Sequence, residues 1–233
     1  MFEKSAIIIT AGGSGLRMNA KIKKQYIEIC GYPILYYALK SFSEIGFQEN
    51  ILVVPKNDFN YVKTNIINKF GFENFILTSG GASRHHSVYN GLKKIRDSKY
   101  VLIHDGVRPL TEKKIIIDVL TGLFKKNIQG IIPAVKLKDT IKQVKNGAIV
   151  STLNREELVA VQTPQGFNFK ILFDCYKKSL KFLDKFTDDA SILERYGYEV
   201  KTVEGDYSNI KITTNDDIFF AEHLLRSKTV LEN

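Results

Sequence analysis

At 233 residues, 44% hydrophobic and 25% charged, the chain has a near-average globular composition and enough apolar material for a sizeable core in one domain, or one domain with an appendage. No apolar run approaches the ~20 residues of a membrane span, and Cys30 and Cys175 fit neither a disulfide framework nor a zinc pattern. The net charge of +9 admits nucleic acid or small anions as partners, but lysines scattered in pairs such as Lys93-Lys94 and Lys177-Lys178 read as solvated helix faces.

The run AIIIT, ending at Thr10, suits a fully buried strand. Pro33 opens a helix, PILYYALKSFSEI. NILVVP is a second strand, and Asp58 is placed to cap the helix FNYVKTNIINKF, which Gly71 ends. FILTSG and SRHHSVYNGLKKI give a third strand and helix. KYVLIHDG is a fourth strand, Thr111 is placed to cap the helix EKKIIIDVLTGLF, and GIIPAV is a fifth strand. This βαβ rhythm predicts an α/β fold, a Rossmann-like, mostly parallel sheet flanked by helices.

The rhythm breaks after Val135. Residues 136–155 alternate polar and apolar around Asn146-Gly147, the signal of a β-hairpin that leaves the sheet as an arm. The chain returns through VAVQTPQGF to a helix near 168–182, a short helix after Thr187, the strand YEVKTVEG and a last helix from Thr214. No repeat or linker interrupts it, so the expectation is a single domain over 1–233 with an arm at about 136–155. The apolar part of MFEKSAIIIT is too short for a signal peptide, and the thiols are expected to be buried and reduced; both suggest a cytoplasmic protein.

The loop TAGGSGLRM follows the first strand. It is not the dinucleotide fingerprint, because Gly13 and Gly15 are followed by Met18 where a third glycine belongs, and no Walker spacing is present. Small residues still let backbone N–H groups approach an anion, and Arg17, Lys21, Lys23 and Lys24 follow closely. Open α/β sheets bind ligands at this rim. At the fourth strand's end, Asp105 is suited to orient a sugar hydroxyl or to sit near a metal. Arg108 is suited to grip a phosphate or a polyol; a salt bridge between the two is the alternative. Lys211, between isoleucines in an apolar strand, either reaches the same anion or snorkels to solvent. The four histidines have no metal-ligand spacing, and no nucleophile elbow appears.

TAGGSGLRM with Lys24-Gln25-Tyr26 resembles the nucleotide loop of sugar-phosphate nucleotidyltransferases. With GGASRHHSVYNGL, HDGVRP, DTIK, NREELVAVQTPQGF, TDDASILERYG and VEGDYSNIKITT, nearly the whole chain resembles the 2-C-methyl-D-erythritol 4-phosphate cytidylyltransferase family. The resemblance implies CMP transfer from CTP to methylerythritol phosphate in the non-mevalonate isoprenoid pathway. It implies that Thr10, Ala11, Gly12, Gly13 and Ser14 line the CTP, with Gly80, Gly81 and Ser87 at the cytosine. Arg17, Lys24, Lys211 and Arg155 would act as catalytic cations, and Asp105, Arg108, Thr140, Arg155, Thr163 and Thr187 would hold the acceptor. It further implies Mg²⁺ held mainly by phosphate oxygens, and a homodimer in which the arm carries Thr140 and Arg155 into the partner's site. Lys23 stands where the family usually has proline, and Ala82 where it often has an acidic residue.

The expected chemistry is in-line attack by an acceptor phosphate, already ionised at neutral pH, on the α-phosphorus of CTP. No general base is needed. The competing acceptor is another polyol phosphate such as ribitol 5-phosphate. A basic nucleic-acid-binding module is the reading from another class, and it lacks the expected interleaving of aromatics with Lys and Arg. The expected partners are therefore CTP and methylerythritol phosphate, with no nucleic acid and no membrane.

Overall fold

The computed structural model describes residues 4–13, 22–125 and 128–231. In chain order the elements are β1 (Ser5–Thr10), β2 (Glu28–Ile29), β3 (Tyr32–Pro33), α1 (Ile34–Ser43), β4 (Glu49–Val54), α2 (Phe59–Val62), β5 (Phe75–Ser79), α3 (Arg84–Leu92), β6 (Tyr100–Asp105) and α4 (Lys113–Leu123). They continue as β7 (Gly130–Lys136), β8 (Lys142–Lys145), β9 (Ala148–Thr152), β10 (Val159–Val161), β11 (Gln165–Asn168), α5 (Phe169–Ser179), α6 (Asp189–Arg195), β12 (Val200–Glu204) and α7 (Asn215–Leu231).

Among the described residues the main sheet has eight strands. Their order is β12, β7, then β10 and β11 end to end, β6, β1, β4 and β5. β1 pairs in parallel with β4 and β6, β4 with β5, and β7 with β12. β10 and β11 run antiparallel to their neighbours. The α/β expectation holds, with this antiparallel return as the exception inside a mostly parallel sheet.

All six residues of β1 are buried, because helices cover both faces. Alternation along the strand splits the core. Ile7 and Ile9 pack with Leu35, Leu39 and Phe42 of α1 and with Ile116 and Leu120 of α4. Ala6 and Ile8 face the other layer, with Val88 and Leu92 of α3, Leu172 and Tyr176 of α5 and Ile192 of α6. In α1 the buried Ile34, Leu35, Ala38, Leu39 and Phe42 follow the spacing of one helix face. Gly46, at φ +79°, lies three residues beyond its end.

The chain lays down β1, β4 and β5 in one direction, then places β6 on the other side of β1. Thr10 and Asp105 are register partners at the C-terminal ends of these two strands. This reversal of strand order opens a crevice at their rim, the general ligand position of open α/β sheets.

The hairpin expectation also holds. β8 and β9 pair only with each other among the described residues. Asn146 and Gly147 supply the two consecutive positive φ angles, 51° and 81°, that a tight hairpin turn requires. Val144, Ile149 and Val150 of this arm are exposed.

Several local expectations are corrected. Asp58 does not cap its helix; its carboxylate accepts bonds from Lys23 and Tyr26 instead. The stretch beyond it is also not one α-helix, since α2 gives way to a wider turn at residues 63–68. Thr111 does not cap α4, whose N-cap is Glu112, because the Thr111 hydroxyl is used by Asn209 Oδ1 at 2.9 Å. Residues 209–213 form no strand. Single bonds such as Ile212 N–H to Val107 O at 3.0 Å hold them in place of a ladder. Cys175 is buried, but Cys30 is only partly so.

Candidate active site

The rim crevice is a cavity of about 400 Å³ lined by Thr10, Ala11, Gly12, Gly13, Lys24, Gln25, Gly81, Ala82, Ser83, Arg84, Ser87, Asp105, Val107 and Lys211. It gathers segments from five places in the sequence. Ser14 and Arg17 lie outside the described residues.

One wall is the end of β1. Ala11 N–H donates to Val53 O at 2.8 Å, which continues the strand's direction past its end. The Thr10 hydroxyl donates to His104 O at 3.2 Å and ties β1 to β6. Gly12 and Gly13 then carry the chain along the cavity. Lys24 and Gln25 sit on a short helical turn below them, and Gln25 Nε2 donates to Ala11 O at 2.8 Å.

The opposite wall is the start of α3. Ser83 is its N-cap, accepting from His86 N–H, so the positive end of the helix meets the cavity. The Ser87 hydroxyl donates to Ser83 O at 2.9 Å and accepts from Gly81 N–H at 3.0 Å. A side chain at 81 is excluded, since its Cβ would stand 2.5 Å from His86 Cβ. Gly80 lies behind Ser87, its N–H bonded to Val54 O at 2.9 Å.

The floor is a knot of charge around Asp105. Its Oδ1 accepts from Arg84 Nε at 2.9 Å, and its Oδ2 lies 2.7 Å from Lys211 Nζ and 4.0 Å from Arg108 Nε. Burial raises the Asp105 carboxyl, but the cations of Arg84, Lys211 and Arg108 outweigh it and hold the group well below the usual carboxylate range. Arg84 bridges onward, its Nη2 donating to Asp189 Oδ2 at 2.8 Å. Burial acts to lower the Arg84 guanidinium, yet Asp189 and Asp105 raise it well above its ordinary value. Asp189 is fully buried and also accepts from the Tyr176 hydroxyl.

Arg108 is buried and does not line the cavity. Its Nη1 donates to Asn209 O at 2.6 Å, and Asn209 Nδ2 donates to Thr163 O at 2.9 Å. These bonds dock the segment that carries Lys211 against the end of β6. The Asp105–Arg108 salt bridge, the alternative reading of this pair, is present as the longest of the three ion pairs on Asp105. Thr163 is buried too: its hydroxyl accepts from Asp105 N–H at 3.2 Å and pairs with His104 Nδ1 at 2.9 Å. Burial pushes His104 down to about 3, so it is neutral at physiological pH.

Thr187 is exposed and outside the cavity lining. Thr140 and Arg155 are exposed at the arm, where Arg155 Nη1 donates to Lys138 O at 3.0 Å. Arg84 and Asp189 were not singled out from the sequence. A detectable signal existed for Arg84, because an arginine in the first turn of a helix opposes the helix dipole and needs an acidic partner. Asp189 gave none, since an aspartate at a helix start is ordinary.

The family model for 2-C-methyl-D-erythritol 4-phosphate cytidylyltransferase matches residues 5–227. The chain belongs to the 2-C-methyl-D-erythritol 4-phosphate cytidylyltransferase family. It is 45% identical over 222 residues to the Clostridium beijerinckii enzyme of that name, covering 94% of this chain and 97% of that protein. The Clostridium perfringens enzyme is also 45% identical, over 96% of this chain and 99% of its own. The solved structure of 4-diphosphocytidyl-2C-methyl-D-erythritol synthase from Anaerococcus prevotii superposes with a TM-score of 0.85 at 37% identity, covering 96% of each chain. The rim crevice at the ends of β1 and β6 is thus the candidate active site of a cytidylyltransferase. No helix among the described residues is long and apolar enough to cross a membrane.

Proposed function

We propose that this chain transfers CMP from CTP to 2-C-methyl-D-erythritol 4-phosphate, giving 4-diphosphocytidyl-2-C-methyl-D-erythritol and pyrophosphate, by in-line attack on the α-phosphate. The observation that carries the reading is one cavity shared by the β1 glycine loop, Lys24 and the Asp105–Lys211 pair, in a chain of this family.

The chemistry must bring two polyanions together. Thr10, Ala11, Gly12, Gly13 and Ser14 hold the nucleotide through backbone groups, and Gly80, Gly81 and Ser87 receive the cytosine. Arg17 and Lys24 neutralise the triphosphate and the charge that develops at the α-phosphorus. Lys211 is held beside the phosphates by Asp105, which also orients the acceptor's hydroxyls. Arg108 and Thr163 act from behind, by fixing Asp105 and the Lys211 segment, and Thr187 lies at the outer end of the acceptor site. His104 stays neutral and takes no proton, as expected for an acceptor that is already ionised.

Magnesium fits this site as an ion held mainly by phosphate oxygens. No cluster of three metal-binding side chains exists among the described residues, and Asp105 is already matched by cations. When bound, Mg²⁺ supplies charge neutralisation on the triphosphate.

The chain works as one nucleotidyltransferase domain with the arm as its appendage, and as a homodimer. A hairpin that exposes Val144, Ile149 and Val150 and pairs with no other strand among the described residues is marginal by itself. Pairing with a second copy covers it and brings Thr140 and Arg155 to the partner's acceptor.

Pyrophosphate release from CTP and Mg²⁺, with methylerythritol phosphate and ribitol 5-phosphate offered separately, tests the reading. Release with the first alone supports both reaction and acceptor. Release with ribitol 5-phosphate overturns the acceptor, and release with neither overturns the reaction.

A further inference from the structure

We infer that Asp58 is a positioning residue for Lys24, selecting which of two adjacent lysines faces the reacting phosphates. The inference rests on the reading of Lys24 as a transition-state cation.

Lys23 and Lys24 are chemically identical neighbours at the foot of the cavity. Only Lys24 lines it. Lys23 Nζ is 2.5 Å from Asp58 Oδ1, and the other oxygen of the same carboxylate accepts from the Tyr26 hydroxyl at 2.8 Å. One carboxylate therefore grips both residues that flank the Lys24-Gln25 pair. Burial first, and then Asp58 itself, raise the Tyr26 phenol well above its ordinary range, so the hydroxyl keeps its proton and is the donor.

The turn is tied at a third point. Gln25 is fully buried, and its Nε2 holds Ala11 O at 2.8 Å. Tyr26 N–H closes the turn on Lys23 O at 2.9 Å. Asp58 is itself placed by the sheet: it ends a short helical turn just past β4, with its N–H on Pro55 O at 2.9 Å. Rigid contacts thus run from β4 through Asp58 to the backbone of Lys24.

The physical need is specific. A lysine ammonium is a point charge on a flexible stem, and holding it where charge develops requires ordering that stem. A fixed backbone reduces the freedom that must be lost at each turnover. The Asp58 side chain is 11% exposed, so its charge calls for a cationic partner, and Lys23 provides one. With Lys23 held there, it does not compete with Lys24 for the phosphates.

The test is a double-mutant cycle in the full-length protein, read by pyrophosphate release with CTP, Mg²⁺ and methylerythritol phosphate. Asp58→Ala is expected to lower kcat by about 10- to 100-fold while the acceptor KM moves by less than about twofold, as for a misplaced catalytic group. Asp58→Glu should restore part of the loss. Combining Asp58→Ala with Lys24→Ala should cost no more than Lys24→Ala alone, because Asp58 acts only through Lys24. Losses that multiply overturn the inference, as does an Asp58→Ala kcat within about twofold of the parent. If Asp58→Ala does not fold, Asp58→Asn keeps an acceptor for the Tyr26 hydroxyl, loses the charge that holds Lys23 and reads the ion pair alone; an unchanged kcat there also overturns it. If Lys24→Ala itself retains full kcat, the catalytic reading of Lys24 fails and the inference with it. A strong Lys24→Ala effect with a silent Asp58→Ala sinks the inference alone.

Discussion

Lys211 Nζ stands 2.7 Å from Asp105 Oδ2, although 106 positions of sequence separate the two residues. Arg84 holds the other oxygen of the same carboxylate at 2.9 Å. Asp105 is thus the anion that assembles the cationic floor of the cavity. Removing its charge leaves Arg84, Lys211 and Arg108 facing one another. Asp105→Asn is expected to destabilise the fold by about 3 kcal/mol, the typical result of breaking a buried charge network from one side. It should also raise the acceptor KM. Urea unfolding and steady-state kinetics check the two effects separately.

His104 predicts a pH dependence of stability. Its folded pKa lies near 3, below the ordinary 6.5, chiefly through burial. Between those values the unfolded chain binds a proton that the folded chain does not. Stability from this group is therefore fully present above pH 6.5 and is lost as pH falls toward 3. Going from pH 7 to about pH 5 should cost roughly 2 kcal/mol. Urea midpoints across this range measure it, and His104→Asn should flatten the slope. Asp105 is lowered as well, so its contribution is full above its unfolded value and is lost in stronger acid, as pH falls from there through its lower folded value.

Gly81 predicts a steric effect at the nucleotide wall. Any Cβ there would stand 2.5 Å from His86 Cβ, within the first turn of α3. Relief requires the helix start to shift away from the cavity. Gly81→Ala should cost about 1–3 kcal/mol, as overpacking does, and should weaken CTP binding. Thermal melts with and without CTP check this, and the stabilisation given by CTP should shrink.

The arm predicts complementation between subunits. On the proposed homodimer, the Asp105→Ala and Arg155→Ala variants should each be nearly inactive alone. If Arg155 acts in the partner's site, mixed dimers contain one site with both residues intact. Refolding the two variants together should then recover about a quarter of parental activity, given two equivalent sites per dimer. Recovery near zero would mean that Arg155 serves its own subunit.

Much of this molecule was legible before any coordinates. The strands and helices follow from burial on two faces, which makes β1 a continuous apolar run and α1 a single apolar stripe. The arm was visible because Asn146-Gly147 supplies a backbone geometry that few other pairs tolerate. Lys24, Asp105 and Lys211, read from the residues, and Thr10, Ala11, Gly12, Gly13, Gly81 and Ser87, implied by the family resemblance, line one cavity. Arg108 and Thr163 were also read as site residues, but they stand behind the cavity wall and hold it in place.

What the sequence alone determined was local: period, turn chemistry, and which polar residues end each strand. These depend on neighbours a few positions apart. Partner choice among charged side chains was decided only by tertiary structure. Asp58 was free on paper to cap a helix, and the fold gave it to Lys23 and Tyr26. Arg84 was not singled out from the sequence, and the fold set it between Asp105 and Asp189. The physical reason is that Coulomb and hydrogen-bond energies depend on separation in space and on local burial. For residues this far apart along the chain, neither is encoded until the sheet has brought the strand ends together.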